Sequence, residues 1–314
     1  MRTRRRPSPR AWVLLPILGA LPALGGNQAL VTGGYGGTLG AGGATGGERS
    51  AFGQNPAALR PGGTGAHLDF HRPFGLDGLE VAEAGAWLDG SRWGLSAGWR
   101  QTGVEGLYAE HGFRLTQTVR FGKPGGFPGA FDLGAAWYGW RTQWPGGRTG
   151  TAWDHGLGLA WRPFPRLKAG AFVLGLPLDL SDASRTDRSR TGDRSRAGRI
   201  LQWGLEADSG DRDGSGPDGQ GPGGQGPGGR ILRLDFRKTG ETPWRTLASL
   251  SLGFHPGVEL TGGFAGPPFQ ASLGARLSMA GWDLCQALRY HRFLGRTWLS
   301  GLAYSRAWGA APRN

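Results

Sequence analysis

The chain holds residues that could act as nucleophiles, bases or metal ligands, but their spacing decides against most of them. Gly94-Leu95-Ser96-Ala97-Gly98 has the spelling of a serine-hydrolase elbow. That motif needs a sharp turn between a strand and a helix, so that the hydroxyl stands clear of the sheet. Here the five residues lie within an alternating run, Trp93 to Arg100, that reads as a strand. The six histidines, His67, His71, His111, His155, His255 and His291, are scattered without metal-ligand spacing. Asp211, Asp213 and Ser215 with Gly216 copy the first half of a calcium loop, yet the twelfth position is Pro222 where a bidentate Glu is required. Gly219 to Gly229 meets a dinucleotide fingerprint only through its excess of Gly, Pro and Gln, with no strand or helix around it. The reading is therefore no catalytic residue, no metal site and no cofactor.

What remains is positional. In Ser50 to Leu59, SAFGQNPAAL, Asn55 precedes Pro56 and is held extended, because the proline ring crowds the α conformation of its neighbour. Its side chain can cap the amides that follow, and Pro56 can open a short helical turn through Ala57, Ala58 and Leu59. Asn55, Pro56 and Ala57 are thus a candidate capped turn just before the first strand. Four charged residues fall on the weaker face of alternating segments: Arg100, Asp154, Arg162 and Arg276.

Those segments define the architecture. From Gly65 onward the sequence has a period of two. Trp93, Leu95, Ala97 and Trp99 alternate with Gly94, Ser96, Gly98 and Arg100, and Phe113, Leu115, Val119 and Phe121 with Arg114, Thr116, Thr118 and Arg120. Trp153, Leu157, Leu159 and Trp161 alternate with Asp154, Gly156, Gly158 and Arg162, and Leu273 and Leu277 with Gly274 and Arg276. A soluble sandwich would carry a richly charged outer face. Here the non-apolar face is mostly small, as in a barrel whose apolar side meets lipid and whose inner side lines a lumen. Arg100, Asp154, Arg162 and Arg276 would then face the lumen, and His155, on the apolar face, would sit near the rim beside Trp153.

Fourteen segments repeat the pattern, at 65–71, 80–88, 92–100, 106–120, 129–141, 151–162, 167–176, 200–208, 231–238, 245–254, 258–265, 268–277, 281–291 and 297–308, with twelve strands as the alternative. The expected fold is all-β, an antiparallel transmembrane barrel of about 14 strands, with an N-terminal hatch inside the lumen. An even count puts both ends in the periplasm. Parity then makes 181–199, with six Arg and three Asp, the longest external loop, solvated or drawn to lipopolysaccharide phosphates. It also puts the Gly/Pro-rich stretch 209–230 on the periplasmic side, where a long loop is unexpected.

The ends of the chain fit export. Residues 1–10 hold five arginines and no acid, and Ala11 to Leu24 is apolar but too short to cross a bilayer, so 1–25 reads as a signal peptide. Losing it lowers the formal charge from +13 to +8. The residual excess suits anionic lipid and gives no reason to expect nucleic acid as a partner. One cysteine, Cys285, allows no internal disulfide. The organisation reads as a signal peptide (1–25), a hatch (26–64), a barrel (65–308) and a short tail (309–314).

Leu30 to Leu59 resembles the hatch of the long-chain fatty-acid transporter-like outer-membrane barrels, the group containing FadL and PorV. The shared features are a Gly-rich lead, the small-residue step Gly42-Gly43-Ala44 and the turn Asn55-Pro56-Ala57. Further on, Trp153-Asp154-His155-Gly156-Leu157-Gly158 and Leu294-Gly295-Arg296-Thr297 follow in the order that group shows. The resemblance implies a monomer in the outer membrane of a Gram-negative-type bacterium, passively passing a hydrophobic small molecule such as a fatty acid. A PorV-like role, as a partner in protein secretion or surface attachment, is the alternative it equally implies. An outer-membrane hydrolase is the weakest reading, since no histidine has a serine two residues on, as phospholipase-like barrels would show.

Overall fold

The computed structural model describes residues 45, 55–58 and 63–306, apart from 77, 91, 105, 123–128, 148, 177–199, 210–228 and 241. The expected signal peptide, most of the hatch, the 181–199 loop and the tail lie outside the described residues.

Fourteen strands follow one another: β1 (Gly63–Arg72), β2 (Leu79–Asp89), β3 (Trp93–Val104), β4 (Tyr108–Phe121), β5 (Ala130–Gln143), β6 (Thr149–Phe164) and β7 (Leu167–Leu176), then β8 (Ile200–Asp208), β9 (Arg230–Thr239), β10 (Arg245–His255), β11 (Val258–Gly266), β12 (Gln270–Met279), β13 (Trp282–His291) and β14 (Gly295–Arg306). Each pairs antiparallel with its chain neighbours, and β1 pairs with β14, so the sheet closes. Fourteen is therefore the strand number, not twelve.

Closure divides every strand into an inner and an outer face, and the side chains sort accordingly. On β4, Phe113, Leu115 and Val119 are exposed, at 59, 45 and 38 %, whereas Thr116 and Thr118 between them are buried, at 1 and 0 %. Trp93 and Leu95 on β3, Leu157 and Trp161 on β6, and Leu273 and Leu277 on β12 are likewise exposed. The buried set is rich in Asp, Glu, Arg, His, Ser and Thr on inner faces. Such a wall, apolar outward and polar inward, is stable in hydrocarbon, where a closed barrel also leaves no backbone edge unsatisfied. Aromatic contacts lie on the outer surface, Phe131 against Trp161 at 6.0 Å and Trp282 against Tyr304 at 4.9 Å toward the end where β1 begins and β14 ends, and Trp203 against Phe236 at 4.3 Å nearer the other.

Most strands run past an expected bound by a residue or two, and β3 and β6 are extended the most. Gln101 to Val104, read as a loop, continue β3 in register with β2 from Ala82 to Leu79. Pro163, read as a turn, lies inside β6, where the register against β7 shifts between Trp161 and Phe164. Proline gives the ladder no amide, so it is accommodated at that irregularity.

Candidate functional site

Asn55 to Ala58 form a one-turn 3-10 element, Pro56–Ala58, with all four residues buried. The local chemistry is self-contained. The Ala57 amide donates to Asn55 Oδ1 at 2.9 Å and the Ala58 amide to the Asn55 carbonyl at 3.0 Å. The same asparagine ties the turn to the barrel, its Nδ2 donating to the Leu159 carbonyl of β6 at 2.8 Å. Thr118 of β4 donates its hydroxyl to the Pro56 carbonyl at 2.7 Å. Between these anchors the wall is glycine. A Cβ at Gly134 of β5 would lie 2.2 Å from the Pro56 carbonyl carbon, and one at Gly158 of β6 would lie 1.9 Å from Asn55 Oδ1. No other residue type permits that approach. The turn therefore docks on the inner face of β4, β5 and β6. Thr45 is also buried, with its hydroxyl 3.4 Å from Glu206 of β8, so this arm touches two sectors of the interior.

Below the turn, toward the end where β1 begins and β14 ends, runs a chain of charges. Arg120 of β4 holds Asp89 of β2 through two bonds, at 2.6 and 2.9 Å, and donates to the Gly90 carbonyl at 2.7 Å. Its Nε lies 3.5 Å from Asp132 of β5, and Arg162 of β6 pairs with the same Asp132. The signs alternate across four strands, and Arg120 grips Asp89 as a bidentate pair. Above the turn, β5 turns apolar inward. Ala136, Tyr138 and Trp140 lie on the same face as Gly134 and cluster with Phe172, Leu174 and Ile200.

The four charged residues picked from sequence stand on inner faces but in different surroundings. Arg162 belongs to the charge chain. Arg100 is fully buried, opposite Glu83 across β2 and β3, with Nε donating to Thr102 at 3.3 Å. Arg276 donates to Glu259 at 3.3 Å, and Asp154 is registered opposite Tyr138 beside the apolar cluster. They do not form one site. Ser96 of the elbow-like motif sits mid-strand on β3, and its hydroxyl accepts from Arg114 Nη2 at 2.9 Å. A guanidinium supplies donors only, so it cannot act as the base a serine nucleophile needs. His155 is on the outer face of β6, half-buried, opposite Trp137.

The fold also gathers His67, Asp69 and Glu83, all buried, on the inner faces of β1 and β2. His67 Nε2 is 3.6 Å from Glu83 and 3.9 Å from Asp69, and its ring stacks on Trp87. Sequence spacing hides the group because Glu83 reaches the other two only through the β1–β2 register. Arg100 and Arg114 both act electrostatically on Glu83, so part of its charge is already met within the wall. The charge chain was missed for the same reason: Asp89, Arg120 and Asp132 become neighbours only once the strands are aligned. The inward apolar cluster had no signal in alternation, since Trp137, Tyr138 and Trp140 place aromatics on both faces of β5.

Comparison with known proteins adds likeness of shape without likeness of sequence. No protein-family model matches the chain, and no curated protein does. Among solved structures, the outer membrane protein Omp33 of Acinetobacter baumannii is similar at a TM-score of 0.47 and 6 % identity, covering 78 % of this chain and 98 % of that one. A triple mutant of the Rhodopseudomonas blastica porin is similar at a TM-score of 0.37 and 9 % identity, covering 78 % and 99 %.

Proposed function

We propose that this chain is a passive channel of a Gram-negative-type outer membrane for a hydrophobic small molecule, with residues 26–64 as its hatch and the Asn55-Pro56-Ala57 turn as the gate. One observation carries the reading. Along the inner face of β5, Gly134 receives the turn, and Ala136, Tyr138 and Trp140 continue the same face as an apolar wall. A solute moving down that wall meets the turn next. The turn is held by a few hydrogen bonds and close packing, not by the strand ladder, so it can leave while the barrel stays closed. The fatty-acid transporter-like resemblance of Leu30 to Leu59 agrees with this arrangement.

The test is uptake of a radiolabelled long-chain fatty acid by a host that lacks its own outer-membrane transporter for it. Expression of the chain should raise the initial rate, and Phe172→Asp should remove the gain while leaving barrel assembly intact. Equal uptake with and without the chain would end the transport reading. A PorV-like chain would in that case be recovered in stable association with a secretion component of its native host.

A further inference from the structure

On the side of the barrel away from the hatch turn, three arginines share one region of the inner wall. Arg237 of β9 and Arg245 of β10 are directly opposite in register, near the end of the barrel where β9 ends and β10 begins. Like charges in that relation repel. Arg289 lies on the inner face of β13, opposite Thr297 and Ser272, and it is near enough for Arg245 to act on its charge, as Arg245 and Arg289 both act on Arg237.

Compensation within the wall falls on Arg237. Asp235, two residues along the same face, acts on Arg237, but it also accepts from Gln202 at 3.0 Å. Arg245 Nε and Arg289 Nη2 are buried and have no hydrogen-bond partner among the described residues. Between them the inner face of β11 and β12 offers Ala265, Gln270 and Ser272, with no carboxylate. His291 adds a donor but no negative charge: its Nδ1 accepts the amides of Phe293 and Leu294 at 3.2 and 3.1 Å, which puts the ring proton on Nε2. Partly enclosed cations of one sign, with donors left over, are stabilised by a further anion among them.

We propose that Arg237, Arg245 and Arg289 form a binding site for an oxyanion on the inner wall of the barrel. A carboxylate, sulfate or phosphate fits, because guanidinium donors match two oxygens of one planar or tetrahedral group. The site rests on the reading of this wall as the boundary of a solute space, but it needs no passage through the barrel. Its ligand comes either as a free solute or as the head group of an amphiphile. The apolar cluster that ends at Ile200 of β8 lies one strand away from Arg237, and would seat the tail of the second kind.

Calorimetric titration of the full chain, in a neutral detergent at low ionic strength, separates the cases with two probes, sodium sulfate and octyl sulfate. Saturable binding of at least one is expected. Arg245→Gln and Arg289→Gln should each weaken it about tenfold, as loss of a charge-assisted bond would, while Arg289→Lys keeps most of it. Octyl sulfate binding alone, with the same arginine dependence, assigns the site to amphiphiles; sulfate binding as tightly assigns it to free anions. No binding by the unaltered chain, or equal affinity in the double Gln variant, overturns the proposal. Fatty-acid uptake failing while arginine-dependent binding persists would sink only the transport reading.

Discussion

Two stretches of the inner wall handle arginine in opposite ways. Across β2 to β6, Arg120 and Arg162 alternate with Asp89 and Asp132, and the hatch turn sits directly above them. Across β9 to β13, Arg237, Arg245 and Arg289 stand together, and of the three only Arg237 feels a carboxylate, Asp235. The first stretch pairs its charges within the chain, and it lies beneath the docked Asn55-Pro56 turn. The second is complete only with something added. The difference teaches that a charged lumen is not one property: charge satisfied within the wall supports the structure, and charge left over is available to a ligand.

The largest expected effect comes from breaking the complete stretch. Asp132→Ala leaves Arg120 and Arg162 enclosed without their shared acid and should cost about 3–5 kcal/mol of stability, whereas Arg289→Gln should leave stability unchanged or raise it. Urea unfolding of both variants in one detergent checks the contrast, and equal losses would erase the distinction between the two stretches. The outer face supplies the reference scale for that measurement. Leu95→Arg points a charge into lipid and should cost up to about 2–4 kcal/mol. A smaller effect is expected where the turn meets the wall. Gly134→Ala places a methyl group where Pro56 now lies, and relieving that overlap should cost about 1–3 kcal/mol, read as protease sensitivity of the arm with the barrel intact. The smallest change is Asn55→Ala, which removes the cap on the Ala57 amide and should loosen the turn by about 1 kcal/mol. Deleting 30–59 is the functional counterpart: planar-bilayer conductance should rise, and equal conductance with and without the arm would deny it the role of plug.

Period-two patterning was enough to read fourteen strands and their faces, because a barrel wall between lipid and lumen repeats one constraint around its whole circumference. The bounds slipped where that constraint relaxes, at Gln101 to Val104 beyond the last outward aromatic of β3, and at Pro163, where an irregular pairing tolerates a residue that looks like a turn. The Asn55-Pro56 turn was legible because proline restricts its neighbour locally. Its docking place was not, since Gly134 and Gly158 differ from other strand glycines only in what lies across from them. Partnerships across strands, Asp89 with Arg120 or His67 with Glu83, depend on register, which no local pattern encodes. The inward cluster of Tyr138 and Trp140 was hidden for a different reason: β5 is apolar on both faces, and alternation is silent there.

The pairing of β1 with β14, nine residues against nine from Thr64–Arg306 to Arg72–Trp298, has a consequence for how this molecule comes into being. A ring has no shortened form. Without the final strand, β1 and β13 would both present bare amides and carbonyls to hydrocarbon, at several kcal/mol for each unmet group. The strand that closes the ring is thus the one on which every earlier strand depends, and a chain cut before Gly295 should fail to insert at all, instead of forming a thirteen-strand version of the same wall.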